Sequence, residues 1–125
     1  MAVEKLILRG INGVALGETF FIDYGRMAII GRGENCHISY TRFKNYPKHK
    51  SPMPKELLAV SRKHLRITFY NSHSVELKDL STNGTLINGK PIIKRLYITD
   101  LAYNKVPYEI KLGPSETFLL SAESS

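Results

Sequence analysis

A chain of 125 residues suits one domain, with a core large enough to stand without disulfides or metal. Its 42% hydrophobic and 23% charged residues are ordinary for a globular protein and exclude disorder over most of the length. The formal charge of +7, from 18 Lys and Arg against 11 Asp and Glu, points to anionic partners. It does not choose among nucleic acid, an anionic membrane surface and a phosphorylated protein.

Short runs rich in β-branched, aromatic and leucine residues, punctuated by glycine, asparagine, aspartate and proline, run along the chain. They predict strands at residues 5–8, 14–22, 27–32, 37–40, 65–70, 74–80, 85–87, 92–95 with room for an extension, 108–112 and 117–121. Asn88-Gly89-Lys90 is the strongest hairpin signal, because asparagine and glycine tolerate the positive φ of tight hairpins, and Asn12-Gly13 is a second. No segment of ten or more residues keeps a 3.6-residue period, which argues against a helical domain and a βαβ nucleotide fold. The expected fold is all-β, a sandwich of two antiparallel sheets with binding loops at one end. In the strands 65–70 and 74–80, Leu65, Ile67, Phe69, Val75 and Leu77 alternate with Arg66, Thr68, Tyr70, Glu76 and Lys78, so the first set is assigned to the core and the second to solvent.

No apolar run approaches the roughly 18 residues of a membrane span. Met1-Ala2-Val3-Glu4 also lacks the basic start and apolar stretch of a signal peptide, so an intracellular protein with no membrane partner is expected. Cys36, the one cysteine, has no disulfide partner, and none of His37, His49, His64 and His73 stands at metal-ligand spacing. It is read as a small buried side chain, and neither metal nor cofactor is expected.

Three polar islands sit at strand edges: Gly31-Arg32, Ser61-Arg62-Lys63-His64 and Ser81-Thr82-Asn83-Gly84-Thr85. An arginine offers a planar fork that fits a phosphate dianion, a serine hydroxyl and a second arginine add donors, and an asparagine amide can hold a peptide backbone. Loops gather at the ends of a sandwich, so the islands are expected to converge on one rim. Gly31-Arg32, then Ser61-x-x-His64 leading into an apolar strand, then Val75-x-Leu77-x-Asp79-Leu80-Ser81-Thr82-Asn83-Gly84-Thr85-x-x-Asn88-Gly89, resembles a forkhead-associated (FHA) domain over nearly the whole chain. The resemblance implies an FHA/SMAD-like β-sandwich that binds phosphothreonine in partner proteins, for phosphorylation-dependent interactions in signalling. By resemblance Arg32 and Ser61 bind the phosphate, Arg62 supplements them, Thr82 and Asn83 meet the peptide, and Gly31, His64 and Gly84 shape the loops.

Competing readings are weaker. Ser61, His64 and Asp79 could form a hydrolase triad, but no nucleophile elbow accompanies them, so no catalytic residue is expected. Gly31-Arg32-Gly33 lacks the third glycine and the lysine of nucleotide loops, and Asn83-Gly84-Thr85 matches a glycosylation acceptor only formally. The high charge and the tyrosines beside basic residues leave nucleic-acid binding as the alternative, and a degenerate FHA scaffold that binds without phosphate as another. One FHA domain over residues 1–125 is expected, with an extended flexible basic loop at 41–60, one helical turn within 55–60, and a short flexible tail at 122–125. The alternative to a plain flexible loop is one that overhangs the site and favours acidic residues beside the phosphothreonine; Ser51-Pro52 within it is a minor phosphorylation candidate. In the long connection 95–107, Tyr97, Tyr103 and the following Tyr108 are expected to pack inward.

Overall fold

A computed structural model describes residues 3–49, 52–71 and 74–124; Lys50 and Ser51 of the basic segment, and His73, lie outside them. In chain order the elements are β1 (Val3–Asn12), a 3-10 turn (Gly13–Ala15), β2 (Thr19–Asp23), β3 (Met27–Gly31), β4 (Ile38–Ser39), a second 3-10 turn (Tyr40–Arg42) and α1 (Lys55–Leu58). There follow β5 (Leu65–Asn71), β6 (Ser74–Asp79), β7 (Leu86–Ile87), β8 (Lys90–Pro91), β9 (Arg95–Ile98), β10 (Tyr108–Lys111) and β11 (Thr117–Ser124). One sheet has the order β2-β1-β11-β10-β7-β8 and the other β4-β3-β5-β6-β9, the two-sheet β-sandwich that the pattern predicts. Among the described residues all pairings are antiparallel except β3 with β4, which run parallel through Ile30–Ile38 and Gly31–Ser39.

Period-two alternation builds the core. Leu6, Leu8, Ile110, Phe118 and Leu120 face inward from the first sheet, and Ile30, Leu65, Ile67, Phe69, Val75 and Leu77 from the second, all buried. Burial of such side chains contributes about 1.5–3 kcal/mol each, and a one-residue slip of β5 against β6, paired Ile67 to Leu77, would expose a whole row.

The departures from expectation have local causes. The strand expected over 14–22 begins only at Thr19, because Gly13 (φ 76°) and Gly17 (φ 89°) bend the chain into a 3-10 turn. The buried Glu116 carboxylate holds that turn, accepting from Val14 N at 3.0 Å and Ala15 N at 3.1 Å. Asn12-Gly13 therefore opens a wider β1–β2 connection rather than a two-residue hairpin. Asn88 (φ 51°) and Gly89 (φ 81°) do make the tight β7–β8 hairpin. Of the strand expected at 92–95 and its extension, the structure forms the extension: it starts at Arg95, after Lys94 at φ 65°, and pairs Arg95 with Lys78 and Ile98 with Val75.

The segment 41–60 is anchored by apolar side chains: Phe43, Leu57 and Val60 are buried, and the Phe43 ring lies 4.4 Å from Tyr40 and 5.4 Å from Phe20. It contains the expected helical turn as α1. Residues 122–124, expected as a tail, extend β11, with Ala122 opposite Leu6. Of the three tyrosines expected to pack, Tyr108 is half-buried, whereas Tyr97 (51% exposed) and Tyr103 (73%) face solvent. Glu76, assigned to solvent, is buried by the side chains around it. Among the described residues no helix is long and apolar enough to cross a membrane.

Candidate functional site

The end of β3 and the segment before β5 are locked together through backbone. His64 N donates to Ile30 O at 2.8 Å, Arg32 N to Ser61 O at 3.0 Å and Gly33 N to Arg62 O at 2.9 Å. The Arg62 carbonyl passes directly over Gly31, where a Cβ would sit 2.1 Å from its oxygen. Only glycine permits that approach, since the obstruction is backbone rather than a side-chain tip that could swing away. The second glycine of interest, Gly84, has open space but a φ of 95°, so conformation rather than room selects it.

Four successive carbonyls, of Ala59 to Arg62, then tie the islands together. Ala59 O accepts weakly from Asn83 Nδ2 at 3.4 Å, Val60 O from Arg32 Nε, Ser61 O from Arg32 N, and Arg62 O from Gly33 N and Cys36 Sγ, the last at 2.9 Å. With Nε held, the Arg32 guanidinium is oriented, while its terminal Nη groups have no protein partner among the described residues. Burial pushes the Cys36 thiol up, which keeps it an S–H donor to Arg62. The Leu57 and Val60 side chains plug into the core and fix this strip of backbone from beneath.

The third island is tied in by His64 and Ser61. His64 is buried; its Nδ1 accepts from Ser61 N at 2.9 Å and its Nε2 lies 3.0 Å from Gly84 O, a pairing that places the ring proton on Nε2. Burial pushes its pKa down, against the opposing pull of the Gly84 carbonyl and Asp79, so the ring is neutral at pH 7. Ser61 Oγ accepts from Thr82 N at 3.0 Å, which leaves its hydroxyl proton to donate outward. Within the β6–β7 connection, Asp79 Oδ1 accepts from Ser81 Oγ at 2.6 Å, Ser81 N at 3.1 Å and Thr85 Oγ1 at 3.0 Å, and Ser81 Oγ accepts from Gly84 N at 2.7 Å. This geometry opposes a triad: both His64 nitrogens face backbone, and the Asp79 oxygen that forms bonds serves its own loop.

All three islands thus meet at one end of the sandwich. Arg32 and Ser61 are half-buried, and Arg62, Thr82 and Asn83 are exposed. Arg32, Arg62 and Lys63 line a cleft of ≈ 500 Å³ with Glu34, Asn35 and Tyr46, three cations against one carboxylate. Asn83 opens onto a second cleft of ≈ 420 Å³ walled by Ala59, Leu86, Pro91, Leu112 and Pro114. Tyr46 and the Ala59–Arg62 carbonyls escape sequence reasoning. Tyr46 sits in the basic loop with no local pattern to mark it, and a carbonyl's role leaves no trace in residue type.

A sandwich of two mixed-order sheets with polar loops converging on one rim is the architecture of a loop-presenting binding module. The FHA domain family profile matches residues 28–102, more than half of the chain, and the chain belongs to that family. No curated protein sequence matches the chain. Among solved structures, the FHA domain of a Chlamydia trachomatis protein shares 22% identity at a TM-score of 0.71, over 96% of this chain and 99% of that one. The FHA domain of an Arabidopsis thaliana hypothetical protein shares 23% at 0.72, over 98% and 89%. The FhaA FHA domain, solved in complex with the intracellular domain of Rv3910, shares 28% at 0.60, over 91% and 98%.

Proposed function

We propose that residues 1–125 form one FHA module that binds phosphothreonine in partner proteins and carries no catalysis of its own. Arg32 and Ser61 take the phosphate, Arg62 adds charge, and Thr82 and Asn83 hold the peptide backbone. The observation that carries this reading is the Arg32 guanidinium, fixed through Nε on the Val60 carbonyl with its outer donors uncommitted, beside the outward-donating hydroxyl of Ser61. A phosphothreonine brings about −1.5 to −2 charge and three acceptor oxygens, which reward donors held in advance. A peptide laid from Arg32 to Asn83 passes from one cleft to the other, so its flanking residues have walls to meet. Gly31, His64 and Gly84 act as scaffold.

Related domains supply support by kind. One solved structure, 25% identical to this chain, is that of an FHA domain studied for its phosphothreonine-dependent interactions. The test is a peptide library offered in matched phosphothreonine, phosphoserine and unphosphorylated forms. Retention of phosphothreonine peptides alone, abolished by Arg32→Ala in a variant that still melts cooperatively, is the expected result. Binding indifferent to phosphate points to a degenerate scaffold, and binding of oligonucleotides that survives loss of Arg32 points to a nucleic-acid domain; either refutes the proposal.

A further inference from the structure

On the outer face of the β4-β3-β5-β6-β9 sheet, Lys78 stands directly opposite Arg66 on one side and Arg95 on the other. Three cations therefore cross three adjacent strands, spaced about 4.8 Å apart. Like charges directly opposite one another in a sheet are destabilising. Among the described residues a single carboxylate answers them. Glu76 bridges Arg66 at 3.3 Å and Arg95 at 3.2 Å, and accepts from Tyr70 OH at 3.2 Å and Tyr97 OH at 3.1 Å. These neighbours cover Glu76 to 1% exposure on what is otherwise the solvent side, while Arg66 and Arg95 keep 30% and 48% of their side-chain surface. Lys78 has no carboxylate partner among the described residues.

The opposite face of the sandwich is arranged differently. There Lys5 faces both Asp23 and Glu123, and Arg9 and Glu109 flank Leu119 from its two neighbouring strands. The imbalance belongs to one face, and it adjoins the rim. Arg66 follows His64 by two residues and Lys78 directly precedes Asp79, so the cation row begins about 10 Å along extended chain from Lys63. The basic segment 41–60 is less free to read acid than its composition implies. Arg42 spends its guanidinium on the carbonyls of Glu34, Cys36 and His37 at 3.2, 2.8 and 2.9 Å.

We propose that the Arg66–Lys78–Arg95 face docks an acidic segment of the partner, rich in Asp and Glu, that continues from the phosphothreonine held at the rim. The inference rests on the phosphothreonine reading of that rim. Charge complementarity calls for an anion, and continuity with a peptide-binding edge selects an acidic peptide over a nucleic-acid strand.

The test titrates the full chain with peptides sharing one phosphothreonine core from the library: the core alone, the core extended on either side by an Asp/Glu segment, and the core extended by matched Asn/Gln. One acidic extension should bind about fivefold tighter than its neutral counterpart at low salt, as expected for a few surface ion pairs, with the gain fading as salt rises. Lys78→Glu should remove the gain and leave core affinity unchanged, and Lys78→Gln, which keeps most of the aliphatic stem, should remove part of it. Equal binding of acidic and neutral extensions overturns the inference and leaves the rim reading standing. A core peptide that does not bind at all condemns the rim reading, and with it this one. A single-stranded oligonucleotide that binds more tightly than the acidic extension, in a Lys78-dependent way, overturns the choice of occupant.

Discussion

Replacing Arg32 by lysine keeps the charge and removes the geometry, so it isolates what the anchored fork contributes. In the folded protein Nε is committed to Val60 O, and the two Nη groups are presented in a plane. A lysine has no second donor in that plane. One of two parallel charge-assisted bonds to phosphate is lost, worth about 1.5–3 kcal/mol, and a released side chain must be ordered on binding at roughly 0.5–1.5 kcal/mol more. Affinity for the core phosphopeptide should fall by a factor between about 30 and 2,000, at 1.4 kcal/mol for each tenfold. The free protein also loses the Nε bond. Near 1 kcal/mol of stability should go with it, a fall of roughly 4 °C in Tm for a domain of this size. Isothermal titration against one peptide, with melting curves for both proteins, separates the two effects. A lysine variant that binds within threefold of the parent would show that net charge alone is being read, and the reasoning about the fork would be wrong.

Two further outcomes follow from the rim. The buried His64 has a folded pKa below its ordinary value, so the unfolded chain takes up a proton that the folded chain refuses. Its contribution to stability is full above about pH 6.5 and is lost progressively as pH falls below that; Tm should drop between pH 7 and 5, and a His64→Asn variant should show a flatter profile, a steep unchanged one counting against this assignment. Gly31→Ala drives a methyl group into the Arg62 carbonyl and should displace the Ser61–Arg62 segment, with a loss of roughly 1–3 kcal/mol and most of the binding. Gly84→Ala meets only backbone strain of about 1–2 kcal/mol and should bind measurably, so equal damage from the two substitutions would contradict the close approach at Gly31.

Most of the strands were legible because period-two alternation is a local signal. Leu65, Ile67 and Phe69 declare their face within a few residues, and Asn88-Gly89 declares its turn in two. Glu76 was assigned to the wrong environment for the same reason. It occupies an outward position in the alternation, and what buries it comes from Arg66 and Tyr70 on one neighbouring strand and Arg95 and Tyr97 on the other. Val14 and Ala15 carry a strand-like pattern but lie in a turn, because Glu116, whose carboxylate stabilises it, is about a hundred residues away.

At the site, the order of the three islands and their resemblance to the FHA pattern nominate Arg32, Ser61, Arg62, Thr82 and Asn83 as the residues to test, and the fold brings their loops to one end of the sandwich. Their arrangement belongs to the tertiary structure. Backbone carbonyls look alike in every residue, so nothing in the sequence marks Val60 O as the rest for Arg32 or Arg62 O as the lid over Gly31. The cation row on the sheet face is likewise a product of register, since Arg66, Lys78 and Arg95 become neighbours only when three strands align. Local pattern determined which residues face inward and which chemistry is available; long-range pairing decided what each polar group touches, because hydrogen bonds and ion pairs are fixed by distances that the chain sets only once it is folded.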